Sequence, residues 1–266
     1  WDRTRRTFLR AATTLLSATR APATRCAAVG YKQGMIDPAL ARAVAEELLE
    51  AERTRTPVKQ VSQRYPELTV DDAYRIQQIN VHRRKEAGGI VRGRKIGLTS
   101  VAMQQQLGVD EPDFGAIFDE MVVEEGDAVP VGELIQPRAE AEIGFLMAEE
   151  LQGPGITAAD ALGAVAGALP AIEVIDSRVA DWKIKLADTI ADNASSARVV
   201  FGARLTPVED LDLRLLGMVL RCNGAVAATG AGAAVLGNPI RCIAWLANKL
   251  GKFGVPLRAG DLVIAG

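Results

Sequence analysis

Glu140 and Glu142, one residue apart in PRAEAEIGF, stand in an otherwise apolar stretch, where the two-residue period of a β-strand puts both carboxylates on one face. Ala141, Ile143 and Phe145 then supply the other face. A second apolar stretch, ALPAIEVIDSR, carries a lone Glu173 among Ala171, Ile172, Val174 and Ile175. Any one of these glutamates taken alone also fits a solvent-facing place on a half-exposed strand. Together they read differently. A buried carboxylate without a partner takes up a proton, so several that stay ionised in one core need a cation or a set of hydrogen bonds. Three such carboxylates suggest a metal.

Composition narrows the ion. With one His and three Cys, a zinc site would have to be assembled from His82, Cys26, Cys222 and Cys242, which are widely separated and lack ligand spacing. An all-carboxylate set favours Mg2+ or Mn2+ in octahedral geometry, with the remaining positions open to water or substrate oxygens. Three further residues could do chemistry beside it. Lys95 lies in the strand-like run IVRGRKIGLTS between Gly93 and Gly97, where it is either a snorkelling edge residue or an amine held in a site. Asp113 follows Pro112 in a turn over residues 110–115, where an aspartate commonly caps its own turn. Ser195 belongs to the polar cluster Asp192-Asn193-Ala194-Ser195-Ser196, a loop-like composition before a β-branched run.

The elements that must position these residues are punctuated from Met35 onward. Asp37-Pro38 reads as an N-cap with proline at the first helical position, and Leu40, Val44, Leu48 and Ala51 make a stripe ending near Thr56-Pro57. Thr69 and Asp72 approximate the capping box of a second helix with Tyr74, Ile76, Ile79 and Val81 as its apolar positions, closed by Gly88-Gly89. His82, late in that helix among Arg83, Arg84 and Lys85, reads as a surface residue. Thr157 and Asp160 cap another helix, which Pro170 is expected to stop before the Glu173 strand. TGAGAAVLGNP has glycines at 230, 232 and 237, a spacing that does not fit a dinucleotide fingerprint, and no βαβ unit frames it. Helices and strands mix without regular βαβ alternation, so the fold class is α+β, with the late strands in a curved mixed sheet or roll.

The chain has 266 residues, a formal net charge of -2 and 48% hydrophobic residues, enough for one large or two small domains. Its basic residues are scattered except near the N-terminus, which argues against nucleic acid, and no apolar run nears the roughly 20 residues that span a bilayer. Isolated cysteines fit a reducing cytoplasm. Residues 1–34, rich in Arg, Thr and Ala, superficially resemble a twin-arginine signal through Arg5, Arg6, Phe8 and Leu9, but the following apolar region is short and broken by Arg20. A mobile basic tail or a reading frame extended upstream of Met35 is the expectation, with a single catalytic domain over 35–266.

In this order, GRKIGLTS, LGVDEPDFG, PRAEAEIGF, LPAIEVIDSRVADWK, ADNASSA and TGAGAAVLGNP closely resemble the 2-keto-4-pentenoate hydratase family of the fumarylacetoacetate-hydrolase-like superfamily, over about Met35 to Gly266. The resemblance implies a mixed β-sheet roll with helices packed around it, an N-terminal helical portion, Mg2+ or Mn2+ dependence, and a homo-oligomer, often pentamer-based. It places the metal ligands on Glu140, Glu142 and Glu173, the active-site lysine on Lys95, its acidic partner on Asp113 and the polar loop residue on Ser195. It also implies meta-cleavage degradation of aromatic compounds, with a possible complex with a pathway decarboxylase or aldolase. The family lacks a leader like residues 1–34 and continues past AGDLVIAG, so the chain is expected to be truncated at its C-terminus.

The implied chemistry is hydration of 2-hydroxypenta-2,4-dienoate to 4-hydroxy-2-oxopentanoate. The cation would chelate a carboxylate oxygen and the C2 oxygen, and a lysine with a pKa lowered by burial and the cation would carry the proton. Alternatives of the same family are a 4-oxalocrotonate decarboxylase and a 2-oxohept-3-enedioate hydratase. With His82 as its one histidine, the chain lacks a His-Glu pair to activate water, as the superfamily's hydrolases do. Retention of Lys95 and Asp113 argues against a non-enzymatic subunit.

Overall fold

Asp37 accepts a hydrogen bond from the Ala39 N–H at 2.7 Å and opens α1 (Pro38–Thr54), whose Val44, Leu48 and Ala51 are buried. The computed structural model describes residues 36–266, so the expectations for residues 1–34, and Cys26 with them, lie outside the described residues. Arg55 ends α1 in the left-handed region at φ 56°, just short of Thr56-Pro57. A single turn, α2 (Val61–Arg64), leads to α3 (Val70–Glu86), which starts with the Thr69–Asp72 capping box and is closed by Gly88 at φ 100°. Tyr74 of α3 is buried and stacks on Phe114 with ring centroids 4.6 Å apart. His82 is exposed, 3.2 Å from Glu86.

Seven strands form one mixed sheet in the order β2 (Asp113–Phe118), β1 (Val91–Gly97), β9 (Leu262–Ile264), β4 (Arg138–Met147), β5 (Val165–Ile175), β6 (Ser196–Phe201) and β3 (Val122–Val123). The β1/β9 and β3/β6 pairs are parallel and the others antiparallel. A separate hairpin joins β7 (Gly217–Cys222) to β8 (Ala225–Ala231). Short helices α4 (Val101–Leu107), α5 (Ala158–Ala164) and α6 (Leu186–Ala191) connect strands, and α7 (Ile240–Gly251) buries Ile243, Leu246, Ala247 and Leu250. The mixture is α+β, as the unalternating pattern indicated.

Two local readings are corrected. The Thr157–Asp160 capping box forms, but α5 ends at Ala164 and Pro170 lies inside β5. The β5/β6 register begins only at Ala171, so Pro170 sits at the end of that ladder, where a missing N–H is tolerated. Asp113 opens β2 instead of occupying a turn, because its segment pairs with β1 through Gly97.

The sheet has two different faces. Ile96, Phe114, Phe145 and Val263 point into the core shared with α1, α3 and α7, each large side chain there contributing about 1.5–3 kcal/mol by leaving water. Ile117, Ala171, Val199 and Ile264 belong to a smaller apolar cluster on the opposite face. Strand register puts the charged residues on this second face: Lys95 is level with Ile264, Glu173 with Val199 and Glu142 with Ala171. The site is therefore built on a rigid sheet instead of on loops.

One polar hub braces the chain between β5 and β6. Buried Arg178 pairs through Nε with buried Asp192, donates to the Asp176 and Ser196 carbonyls, and its backbone N–H also reaches Asp192 at 3.0 Å. Burial pushes the Asp192 carboxyl up to about 6, with Arg178 limiting the rise, so the pair is ionic at neutral pH. Removing one partner strands a buried charge. Asp192→Ala should lower the unfolding free energy from urea titration by about 3–5 kcal/mol at constant m, while Glu50→Ala, whose partner Arg53 is exposed, should leave the midpoint nearly unchanged; equally small losses would leave the hub without a part in stability.

Candidate metal centre and active site

The antiparallel register of β4 and β5 sets Glu140 directly opposite Glu173, with Glu142 two residues along on the same face. One carboxylate oxygen from each lies within 4.8 Å of the others. Glu173 is fully buried at 0% exposure, Glu142 is 7% exposed and Glu140 stands at the exposed rim. Both oxygens of Glu173 are buried without an aligned hydrogen-bond donor. Lys95 Nζ is 3.1 Å from Glu173 Oε2, an ion-pair distance off the line of a hydrogen bond, and the Ser196 hydroxyl favours the Glu173 carboxylate from nearby while also lacking an aligned partner. Glu142 Oε2 accepts the Gly266 N–H at 3.0 Å.

Such a cluster is electrostatically costly as it stands. Burial pushes the Glu142 carboxyl well above its ordinary range and the Glu173 charge adds to that. Burial also raises Glu173, with Lys95 opposing. Around a small divalent ion at about 2.1 Å, neighbouring oxygens sit about 3 Å apart and opposite ones about 4 Å. The three glutamate oxygens, within 4.8 Å of one another, are near that spacing, and the donor set is all oxygen. The residues fit a hard divalent cation.

Lys95 shares its strand face with Gly93 and Gly97, which leave room for it. A Cβ at position 93 would lie 1.7 Å from the Leu262 carbonyl, and one at 97 would lie 2.3 Å from Asp113 Oδ1 and 3.3 Å from Lys95 Nζ. Buried Lys95 also donates to the Ala194 carbonyl at 3.1 Å. Asp113 faces the same interior, accepting bonds from Thr189 Oγ1 at 3.2 Å and from the Gly97 N–H. Burial raises the Asp113 carboxyl and Lys95 opposes the rise. The lowering expected for the lysine combines burial with the cation. Burial does push it down, but Glu173, Asp113, Glu142 and Glu140 outweigh that and hold the ammonium above the ordinary lysine range. A divalent cation shared by the same carboxylates would offset their pull.

Ser195 is buried, yet its hydroxyl donates to Asp192 Oδ2 at 3.2 Å, in the Arg178 hub, and it is Ser196 that sits by Glu173. The sequence places Asn193 and Ser196 in the polar cluster without a role for either, and Thr189 stands outside it. The one signal for Asn193 and Ser196 was proximity to Ser195 in a polar loop. An apolar cavity of about 520 Å³ borders Glu142, lined also by Thr99, Ile143, Leu216, Met218 and Val219. TGAG, which does not fit a dinucleotide fingerprint, contributes Gly230 to Gly232 to its wall.

Residues 93–266 match the family model described as fumarylacetoacetate (FAA) hydrolase C-terminal. The 2-keto-4-pentenoate hydratase of Paraburkholderia xenovorans (strain LB400) is 48% identical over 222 residues, 84% of this chain and 82% of the relative. A 2-hydroxypent-2,4-dienoate hydratase of Pseudomonas putida is 47% identical over 221 residues, 83% of this chain and 100% of the relative. The solved 4-oxalocrotonate decarboxylase from Pseudomonas putida G7, complexed with magnesium and adipate, superposes with a TM-score of 0.83 at 40% identity, covering 87% of this chain and 88% of that one. Fumarylpyruvate hydrolase from Pseudomonas aeruginosa, with a TM-score of 0.52 at 17% identity over 66% of this chain and 77% of that one, shares the fold. On the strength of that model match and of relatives near half identity across most of its length, the chain belongs to the 2-keto-4-pentenoate hydratase family within the fumarylacetoacetate-hydrolase-like superfamily.

Proposed function

We propose that the protein is a metal-dependent hydro-lyase that adds water to 2-hydroxypenta-2,4-dienoate to give 4-hydroxy-2-oxopentanoate, in the breakdown of aromatic compounds by meta cleavage. The observation that carries this reading is the buried Glu173, unpaired by any aligned donor, converging with Glu140 and Glu142 within reach of the Lys95 amine. Glu140, Glu142 and Glu173 would hold a Mg2+ or Mn2+ ion, which would supply Lewis acidity toward a 2-oxo acid.

The chain's own groups handle the protons. The C2 hydroxyl of the dienol loses its proton, C5 gains one, and the 2-oxo-3-enoate results; water then places its hydroxyl on C4 and a proton on C3. Lys95, held 3.1 Å from Glu173, is the donor, and Asp113 faces the same interior from the paired strand and tunes the lysine's charge. Ser195 acts at one remove, through Asp192.

The decarboxylase reading shares the scaffold, but the relatives nearest half identity are named hydratases. The cavity beside Glu142 adds a physical reason. Among the described residues it is lined by no Lys, Arg or His for a second carboxylate, so it suits a short neutral tail over a dicarboxylate. Self-association is part of the reading, as a pentamer-based homo-oligomer, supported by apolar Leu215, Val219 and Val226 displayed on and beside the β7/β8 hairpin. The cytoplasm is the proposed location, with a pathway decarboxylase or aldolase as a partner; among the described residues no helix is long and apolar enough to cross a membrane.

Glu173→Gln should weaken Mg2+ or Mn2+ binding, read by calorimetry, by about 100-fold or more, since loss of even an outer partner of a metal ligand costs 10–100-fold; unchanged affinity would take Glu173 out of the site. Lys95→Met should lower turnover about 100-fold or more with metal affinity within a few-fold, and Asp113→Asn should lose less. Near-parent turnover in Lys95→Met at saturating metal and substrate would leave the lysine without a role. Followed by loss of diene absorbance with product identification, kcat/KM should be at least about 10-fold higher for 2-hydroxypenta-2,4-dienoate than for the seven-carbon dicarboxylate analogue, and CO2 release from 4-oxalocrotonate should be negligible; the reverse order would favour the dicarboxylate readings.

A further inference from the structure

Between α6 and β6 the backbone does something that L-residues avoid. Asn193, Ala194 and Ser195 stand consecutively in the left-handed region, at φ 53°, 52° and 54°. Asn tolerates that region, but Ala and Ser do not favour it, and runs of such residues are rare because each Cβ crowds the following carbonyl. Strain of this kind persists where the surroundings over-determine it, and it gathers at functional sites.

The surroundings here are specific. The Asn193 side chain forms a two-point clasp on β2, its Oδ1 accepting the Ala116 N–H at 2.8 Å and its Nδ2 donating to the Ala116 carbonyl at 2.9 Å. Gly115, level with Lys95 across the β1/β2 ladder, is bare where the turn lies on it: a Cβ there would sit 2.3 Å from the Asn193 carbonyl. At its far end the turn is tied by Ser195 Oγ to Asp192 and by the Asp176 N–H to the Ser195 carbonyl at 2.7 Å. What this left-handed turn delivers to the interior is the Ala194 carbonyl, which receives Lys95 Nζ at 3.1 Å beside the amine's 3.1 Å ion pair with Glu173.

We infer that the left-handed turn 193–195 is the device that aims the Lys95 amine, and that Asn193 is its positioning residue, acting through the lysine and not on the substrate. An ordinary right-handed loop would turn the Ala194 carbonyl elsewhere. The lysine would then be steered by carboxylates alone, free to swing among Glu173, Asp113 and Glu142. The inference rests on Lys95 as proton carrier, so its test is built to separate the two.

The test is a double-mutant cycle in kcat per folded molecule, with Mg2+ present at saturation and its affinity measured by calorimetry. Asn193→Ala removes the clasp, and Gly115→Ala pushes on the turn from the opposite side without touching Asn193. Each should lower kcat about 10- to 100-fold, with substrate KM and metal affinity within about threefold, as expected for a misplaced reacting group. Asn193→Gly, which restores left-handed freedom without the clasp, should recover part of the loss. In the Lys95→Met background, adding Asn193→Ala should change kcat by less than twofold, because a residue that acts through the lysine has nothing left to position.

A merely structural turn would instead lower the folded fraction or melting temperature, leave kcat per folded molecule intact, and add its effect to that of Lys95→Met. Intact turnover in both Asn193→Ala and Gly115→Ala beside a crippled Lys95→Met would overturn the turn's role alone. A Lys95→Met enzyme with near-parent turnover would overturn the lysine's role and this inference with it. Should Asn193→Ala fail to fold, Asn193→Gly and Gly115→Ala carry the same comparison.

Discussion

Everything at the centre of this protein is arranged around a carboxylate that protein groups leave incompletely satisfied. Glu173 is fully buried, no donor is aligned with either of its oxygens, and its neighbours across and along the strands are two more glutamates. One lysine at 3.1 Å does not neutralise that much negative charge, and burial drives Glu142 and Glu173 toward protonation. Left to itself this would be a defect in the core. With a divalent cation it becomes a site in which charge is balanced by the ion that the chemistry needs.

The fold holds this tension by geometry. Strand pairing fixes Glu140 against Glu173, and Lys95 against Gly115, with the precision of a hydrogen-bonded ladder. Glycines at 93, 97 and 115 occur where the backbone of β9, the Asp113 carboxylate and the Asn193 carbonyl press against β1 and β2, so close packing and site access share one cause. Behind the site, the Arg178–Asp192 hub and the left-handed turn connect β5, β6 and β2. The opposite face of the sheet is ordinary apolar core against α1, α3 and α7.

Much of this was legible in the residues. Glu-x-Glu in an apolar strand and Glu173 in another carried their meaning locally, because alternation alone decides which face a strand residue takes. Asp37, Thr69 and Thr157 announced their helices through capping geometry that involves only near neighbours. What could not be read was set by distant contacts. Pro170 looked like a helix stop because its place at the end of the β5/β6 ladder depends on residues about thirty positions away. Asp113 looked like a turn residue until Gly97 claimed it for a strand. The pull of four carboxylates on Lys95, which opposes burial, could not be read because only the assembled sheet brings them together. The clasp of Asn193 was invisible for a similar reason: its partner, Ala116, lies 77 residues away.

The solved decarboxylase, complexed with magnesium, shares this scaffold, so the proposed choice of reaction rests on the cavity wall and proton delivery, and the proposed metal centre is the part most directly open to test. The most direct measurement is an anomalous difference map from crystals of the protein soaked in Mn2+. A metal centre on these carboxylates gives one strong peak at about 2.0–2.3 Å from oxygens of Glu140, Glu142 and Glu173 together. A map with no peak between those three carboxylates, or with the ion held elsewhere while Glu173 remains paired only to Lys95, would contradict it.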